Sequence, residues 1–176
     1  MTRTVPVTSL EVPGNFVTSA LWNAGPKALG DFLLAAPLFT GYQANAQSIA
    51  TGAWTAVAID TGVIDSDGSH SNVTNNTRFT CQVAGVILFL GMAAFVSNAN
   101  NVRGSRFALN GTSIRGSQTN VSSTNGSVWS SPCWAVQRMN VSDYVELQTF
   151  QNTGGALNTN NGTDCTSYMA AFWLSS

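Results

Sequence analysis

Acid–base chemistry in this chain would centre on its one histidine, His70, which follows Asp65 and Asp67 in a segment rich in turn residues. A serine hydrolase combines such a histidine with a carboxylate and a nucleophilic serine. Serines are abundant, but no Gly-x-Ser-x-Gly nucleophile elbow or other organised context surrounds any of them. We therefore interpret His70 as a structural or exposed residue and predict a protein without catalytic residues.

The same two aspartates are the best metal candidate in the sequence. A calcium-binding EF-hand loop that began at Asp65 would need a glutamate at its twelfth position, where the chain has Asn76. The surrounding pattern is also not helical. Because aspartate side chains readily bond to nearby backbone groups in turns, we interpret this segment as an Asx-type turn. We expect no bound metal and no cofactor.

The three cysteines, Cys81, Cys133 and Cys165, cannot all pair within one chain, and their spacing matches no zinc pattern. Free cysteine behaves as a small apolar residue and is among the most buried residue types. We therefore expect buried free thiols.

Charged residues make up only 9% of the chain, against about 25% in an ordinary soluble domain, while hydrophobic residues make up 44%. Uncharged polar residues take their place, which suits a β protein with many turns and surfaces that contact other subunits. The net charge of −1 gives no basic patch, so we expect no nucleic-acid partner. Arg103, Arg106 and Arg115 could form a small basic face around the Asn110-Gly111 hairpin, or they could block unwanted strand pairing.

The longest apolar run, Val83 to Val96, has 14 residues and is shorter than the roughly 20 that a membrane-spanning helix needs. The residues after Met1 also lack the continuous apolar stretch of a signal peptide. We expect no membrane contact and a chain that is made and kept in a cytoplasm.

Residues 1–40 contain four of the five prolines and are predicted to be an attachment arm with a short helix. Met1 to Phe16 has the composition of an extended segment. A short helical turn at residues 20–23 should end at Gly25. Pro26 is well suited to the first position of a second helix, because its missing N–H is not needed there.

That second helix is predicted to run from Lys27 to about Ala36. Leu29, Phe32 and Leu33 fall three or four residues apart and form an apolar stripe, which makes them candidate anchor residues. A helix of about ten residues is marginal alone. It must therefore dock on its own head domain or on another chain.

Residues 41–176 are predicted to form a β-sandwich or barrel, because short strand-like runs alternate with turn signals. A strand with one wet face alternates apolar and polar residues, as Tyr144 to Phe150 roughly does. The runs Val86–Leu90 and Tyr168–Leu174 do not alternate, so both of their faces need covering. A second chain is the simplest cover and predicts a homo-oligomer, while the N-terminal helix is the competing cover. The candidate core and subunit-contact residues are Val86, Leu88, Leu90, Tyr168, Phe172 and Trp173.

Four segments within residues 41–174 together resemble the globular head of the complement first component and its tumour necrosis factor-like relatives. They occur in the family's order: AGVILFLGMAAF (84–95), RFALNGTSI (106–114), MNVSDYVELQTFQNTG (139–154) and TSYMAAFWL (166–174). The resemblance implies an all-β, ten-stranded jelly-roll sandwich that forms a homotrimer.

The segment VPGNFVTSALWNAGPKALGDFLLAAPLF (12–39), followed by AQSIATGAWTAVAIDTG and DSDGSHS, resembles virion surface or minor tail proteins of phages that infect actinobacteria. Those proteins place a short arm and helix before a complement-type head. The resemblance implies a non-enzymatic virion protein, assembled in the host bacterial cytoplasm, that binds a capsid or tail platform through residues 1–40. Because no shaft separates arm from head, we favour capsid decoration over a compact tail-tip component.

Two other functions remain open on the sequence. One is a receptor- or glycan-binding head whose loops, Ser117–Ser131 and Asn152–Thr163, contact a host surface. Exposed tryptophan often anchors such contacts, although we interpret Trp129 and Trp134 as core residues. The other is a tail-associated hydrolase, which would lose its activity in a His70→Ala variant.

Overall fold

The fold is built mainly from antiparallel sheets, and the computed structural model describes residues 3–7, 14, 16–122 and 128–176 of the chain. The first eight strands are β1 (Leu38–Tyr42), β2 (Ser48–Ile49), β3 (Thr55–Ala56), β4 (Thr61–Asp65), β5 (Arg78–Thr80), β6 (Gly85–Phe95), β7 (Val102–Leu109) and β8 (Thr112–Ser113). The others are β9 (Thr119–Ser122), β10 (Trp129–Met139), β11 (Tyr144–Gln151), β12 (Leu157–Asn158), β13 (Asn161–Gly162), β14 (Cys165–Thr166) and β15 (Tyr168–Ser175).

Two larger sheets form a sandwich. The first sheet has the strand order β10-β6-β15-β1-β4. The second has the order β3-β11-β7-β8, with β5 paired to β11 and β9 paired to β7. Neighbouring strands in both sheets are often distant in the sequence, which is why strand pairing could not be read from local patterns. The pairs β2–β12 and β13–β14 form two small additional sheets.

The core lies between the two larger sheets and is built from every second residue of their strands. Phe89 of the first sheet meets Phe107 of the second at 5.6 Å between ring centroids, and Phe79 lies 5.4 Å from Phe89. One buried polar contact also joins the sheets, because the Ser105 hydroxyl donates to the Ser131 carbonyl oxygen at 2.7 Å.

Gly91 lies inside β6, where glycine is usually unfavourable. A Cβ atom at this position would lie 2.7 Å from Cζ of Phe107 and 3.1 Å from Cδ1 of Leu147. The missing side chain is therefore what allows the Phe107 ring to pack directly against the first sheet.

The Asn110-Gly111 hairpin is confirmed between β7 and β8. Both residues have positive φ angles, 49° and 82°, as a type I′ turn requires. The Asn110 side chain fixes the turn further, since its Nδ2 donates to Asp143 at 2.8 Å and its Oδ1 accepts the backbone N–H of Tyr144 at 2.9 Å.

The N-terminal helical region differs from its prediction. α1 (Ser19–Trp22) does not end at Gly25 but continues through a π-helical segment, Asn23–Lys27, into α2 (Ala28–Leu34). Pro26 therefore lies inside the helical region and does not begin a new helix. Pro26 interrupts the hydrogen bonds of the α-helix because it lacks an N–H. A wider π-type turn is a known way of accommodating such an interruption.

Part of the predicted attachment arm packs on the head. Phe32 is buried and meets Trp173 edge to face at 4.9 Å, and Val5 packs against the same core. Arg3 forms an ion pair with Asp67, with Nε 2.6 Å from Oδ1. The predicted boundary between residues 40 and 41 falls inside β1, which begins at Leu38.

Several predicted segments lie partly outside the described residues. These are residues 1, 2, 8–13 and 15 of the predicted extended arm, and residues 123–127 of the predicted loop Ser117–Ser131. The described ends of that loop are strands, β9 and the start of β10, so the loop prediction was too long. No helix in the described part of the chain is long and apolar enough to cross a membrane.

Candidate interaction surface

The surface of the first sheet that points away from the second sheet, called here the outer face, is largely apolar. One row of paired residues crosses it from β10 to β1: Val136, Leu88, Phe172 and Leu38. The next row consists of Trp134, Leu90, Ala170, Thr40 and, on β4, Ile64. A third row consists of Pro132, Met92, Tyr168, Tyr42 and, on β4, Thr61.

None of these three rows contains a charged residue. Leu90 is 41% exposed, Val136 59% and Trp134 61%. A contiguous apolar surface of this kind on a soluble protein marks a contact with another molecule. The outer face is therefore the main candidate interaction surface.

The predicted subunit-contact residues divide between the two faces of the sheet. Val86, Leu88 and Leu90 alternate with buried residues and lie on the outer face, as do Tyr168 and Phe172, which pair with Met92 and Leu88. Trp173 is buried on the core side, where its indole N–H donates to the Ala84 carbonyl oxygen at 3.2 Å. Both faces of β6 and β15 are thus apolar, as the lack of alternation indicated.

The N-terminal helix does not cover this surface. Its buried residue, Phe32, contacts the core-side residue Trp173, while Leu90, Val136 and Trp134 on the outer face stay exposed. The competing explanation, that the N-terminal helix covers the outer face, is therefore wrong for Leu90, Trp134 and Val136.

The interpretation of Trp134 as a core residue is also wrong. In β10 the neighbouring residues Cys133 and Ala135 are buried, which places Trp134 and Val136 on the opposite face. Trp129, at the start of the same strand, is half-buried. Strand alternation indicates that Trp134 is exposed only once the pairing of β10 with β6 is known, and the sequence does not show that pairing.

A second apolar surface lies on the helical region. Trp22 is 55% exposed, Leu33 57% and Leu34 89%, and Phe16 and Val17 just before the helix are also exposed. Of the predicted anchor residues, Phe32 contacts its own head, Leu29 is half-buried and Leu33 is free for an external contact.

His70 has structural contacts. Its Nδ1 lies 2.8 Å from the Arg78 carbonyl oxygen and its Nε2 lies 2.6 Å from the Ile59 carbonyl oxygen. Phe39 packs beside the ring at 4.9 Å. Because both ring nitrogens face backbone oxygens, neither is directed at a serine hydroxyl as a general base would be.

The two aspartates near His70 also have protein partners. Asp65 accepts the backbone N–H groups of Ser69 and His70 at 2.8 and 3.0 Å, as in the predicted turn. Asp67 is paired with Arg3, and the hydrogen bond from this guanidinium holds the pKa of the Asp67 carboxyl below its usual range. Within the described ranges, no group of three or more histidine, cysteine or acidic side chains could hold a metal ion.

All three cysteines are free thiols. Cys81 and Cys133 are buried, which raises their pKa values to about 11 and about 12, while Cys165 is half-buried. The prediction of buried free thiols is confirmed for the first two. Neither buried thiol is ionised near neutral pH, so neither is a reactive nucleophile.

The three arginines near the hairpin do not form a basic face. Arg103 is fully buried, and its guanidinium donates to the carbonyl oxygens of Asn98 and Asn100 at 2.7 and 2.9 Å. Arg106 lies over the Trp54 ring at 4.1 Å and donates to Gln148. Arg103 and Arg106 thus bind to their own sheet and loops, and Arg115 is the exposed member of the three.

The chain is similar in structure to solved complement and tumour necrosis factor-type proteins. The globular domain of zebrafish complement 1qA aligns with a TM-score of 0.60 at 15% identity, over 78% of this chain and 96% of the other. Murine APRIL, at pH 5.0, gives 0.61 at 11% identity, over 78% and 98%. Eiger TNF from S. frugiperda gives 0.53 at 12% identity, over 80% and 92%. No protein-family model and no curated protein sequence matches the chain.

The fold is therefore the jelly-roll sandwich of the complement globular head and tumour necrosis factor type, with a short helix near the N-terminus. This confirms the fold class predicted from the sequence. At such low identity the likeness defines the fold, and function has to be argued from the surfaces of this chain.

Proposed function

We propose that this protein is a non-enzymatic building block of a bacteriophage virion. Three copies associate through their outer faces, and the N-terminal region attaches the trimer to the particle. The observation that carries the proposal is the presence of two exposed apolar regions, the outer face and the helical surface that carries Trp22 and Leu33. A head that both assembles with itself and binds a platform needs two such surfaces.

The outer face suits association between copies. Its three central rows carry apolar or uncharged residues, and the charged Arg138 lies in the row beyond them, opposite Val86, so covering the three rows would bury no unpaired charge. The hydrophobic gain is about 25 cal/mol for each Å² of apolar surface removed from water. The resemblance to complement-type heads, which form trimers, supports threefold symmetry for this contact.

The helical surface suits attachment to a platform. Trp22 and Leu33 are large apolar side chains that the head does not use. Three identical attachments in one trimer would bind far more tightly than one, because the second and third contacts form within an already bound particle. Only residues 35–37 separate α2 from β1, so the head would sit directly on its platform.

The phage assignment is supported by the resemblance of residues 12–39 and of the following segments to actinobacteriophage virion proteins. The short connection between α2 and β1 favours capsid decoration over a projecting tail fibre. A compact tail-tip component would have the same short connection, so the tail tip is the alternative location within this proposal.

Electron microscopy of phage particles that carry the labelled protein tests this proposal. We expect label at regular positions on the capsid, and a Trp22→Asp, Leu33→Asp variant should be lost from particles while remaining folded. Val141→Asp, at an exposed residue of the turn between β10 and β11 that belongs to neither surface, is the matched control and should be incorporated normally. Particles without any label would overturn the virion role.

A host-binding head predicts a different outcome. In that case the purified wild-type protein should block adsorption of phage to its host, and the label should lie only at the tail tip. Label confined to the tail tip without such blocking would indicate a compact tail component.

A further inference from the structure

The end of the N-terminal helix and the first sheet border an open groove of about 610 Å³, called here the helix-end groove. Leu34 lies at the end of α2, while Leu38 and Ile64 belong to the outer face. The groove is therefore continuous with the proposed contact between copies. Its lining residues are Arg3, Leu34, Ala35, Ala36, Leu38, Ile64, Ser66 and Asp67.

The opposite edge of the same face carries a projecting side chain. Trp134 on β10 and Ile64 on β4 are the two ends of one cross-strand row. With strands about 4.8 Å apart, four spacings separate the backbones of these residues by roughly 19 Å. Trp134 therefore cannot reach the groove of its own chain.

A closed threefold ring needs two different surfaces on every copy. Each copy contacts one neighbour with one surface and the other neighbour with the second, whereas a twofold dimer uses the same surface twice. Trp134 at the β10 edge and the helix-end groove at the β4 edge form such a pair. The groove is apolar on one side, and its two charged residues, Arg3 and Asp67, already neutralise each other.

Building on the trimer proposed above, we infer that Trp134 of each copy packs into the helix-end groove of the next copy. The N-terminal helix would then contribute Leu34 to the contact between copies, in addition to its role in attachment. Trimer formation and the position of the helix would be coupled, because the groove exists only when α2 is docked on the head.

Disulfide trapping tests the inference. In a Cys165→Ser background, Ile64→Cys is combined with Val136→Cys, which lies beside Trp134 at the same edge. The two positions are too far apart to bond within one chain, since a disulfide needs Cα atoms within about 7 Å. We expect mild oxidation to give a covalent product of three chains.

A two-chain product would indicate a twofold contact and would overturn the inference. The control pairs Val136→Cys with Thr51→Cys, an exposed loop residue that lies beside Gln151 and Gly154 and not in the groove, and should give no three-chain product. Wild-type protein that is monomeric would overturn both the inference and the proposed trimer.

A second measurement separates the proposed Trp134 contact from the proposed trimer itself. Leu34→Asp should leave the fold intact, because the Leu34 side chain is exposed in one copy, but should weaken trimer association at least tenfold. The matched control is again Val141→Asp. Suppose that Leu34→Asp forms a normal trimer and that the Ile64→Cys, Val136→Cys protein gives no three-chain product. These two results together would overturn the inference and leave the proposed trimer standing.

Discussion

Phe172 and Trp173 are neighbours in β15, but an aspartate at each position should have a different effect. Trp173 is buried, contacts Phe32 edge to face and donates a hydrogen bond to Ala84. Phe172 lies on the outer face and is half-buried in a single copy. Trp173→Asp therefore tests the core of one subunit, while Phe172→Asp tests the contact between subunits.

The magnitudes follow from these environments. Loss of a buried Trp side chain costs about 3–5 kcal/mol. An unpaired charge left in the core adds several kcal/mol more. Because a domain is stable by only about 5–15 kcal/mol, Trp173→Asp should be largely unfolded. In Phe172→Asp the new carboxylate can reach water in one copy, so we expect a folded monomer with a stability change of about 1 kcal/mol.

Circular dichroism and light scattering distinguish the two variants. Trp173→Asp should lose the cooperative melting transition of the wild type. Phe172→Asp should keep a cooperative transition but have the mass of a single chain. If Phe172→Asp is still a trimer with unchanged Tm, the outer face is not the contact between copies, and the reasoning from its apolar rows is refuted.

Three further predictions concern particular residues. Gly91→Ala should destabilise the protein by about 1–3 kcal/mol in a denaturant titration, because the added methyl group meets Phe107, whereas Gly155→Ala, which has open space, should be close to neutral. With a thiol reagent near neutral pH, Cys165 should react in the native state, while Cys81 and Cys133 should react only on unfolding; fast labelling of all three thiols would contradict their burial. Since Arg3 lowers the pKa of Asp67, their pairing should stabilise the fold at neutral pH by about 1 kcal/mol or less and lose this effect as the pH falls through the folded-state pKa of Asp67. Arg3→Ala should accordingly lower Tm at pH 7 and have less effect at low pH, and an equal effect at both would contradict the assignment.

The sequence predicted those features that depend on local pattern. The missing alternation in the runs 86–90 and 168–174 indicated two apolar faces, and both runs are central strands of the first sheet. The Asn110-Gly111 turn was predictable because its residues tolerate positive φ angles. These signals are carried by neighbouring residues and do not require knowledge of the pairing.

Other features depend on distant contacts and could not be predicted. Trp134 was misplaced because its face is set by pairing with Leu90, 44 positions earlier in the chain. Arg103 was expected at the surface, yet carbonyl oxygens of residues 98 and 100 surround its guanidinium. The helix was expected to stop at Gly25, but docking of Phe32 on Trp173 helps to hold one helical region across Pro26.

The mass of the purified wild-type protein at micromolar concentration, measured by light scattering, tests the central claim most directly. Association through the outer face predicts a stable particle of three times the 18.5 kDa chain mass. A stable particle of one chain mass would show that three copies do not cover the outer face, and would contradict the account.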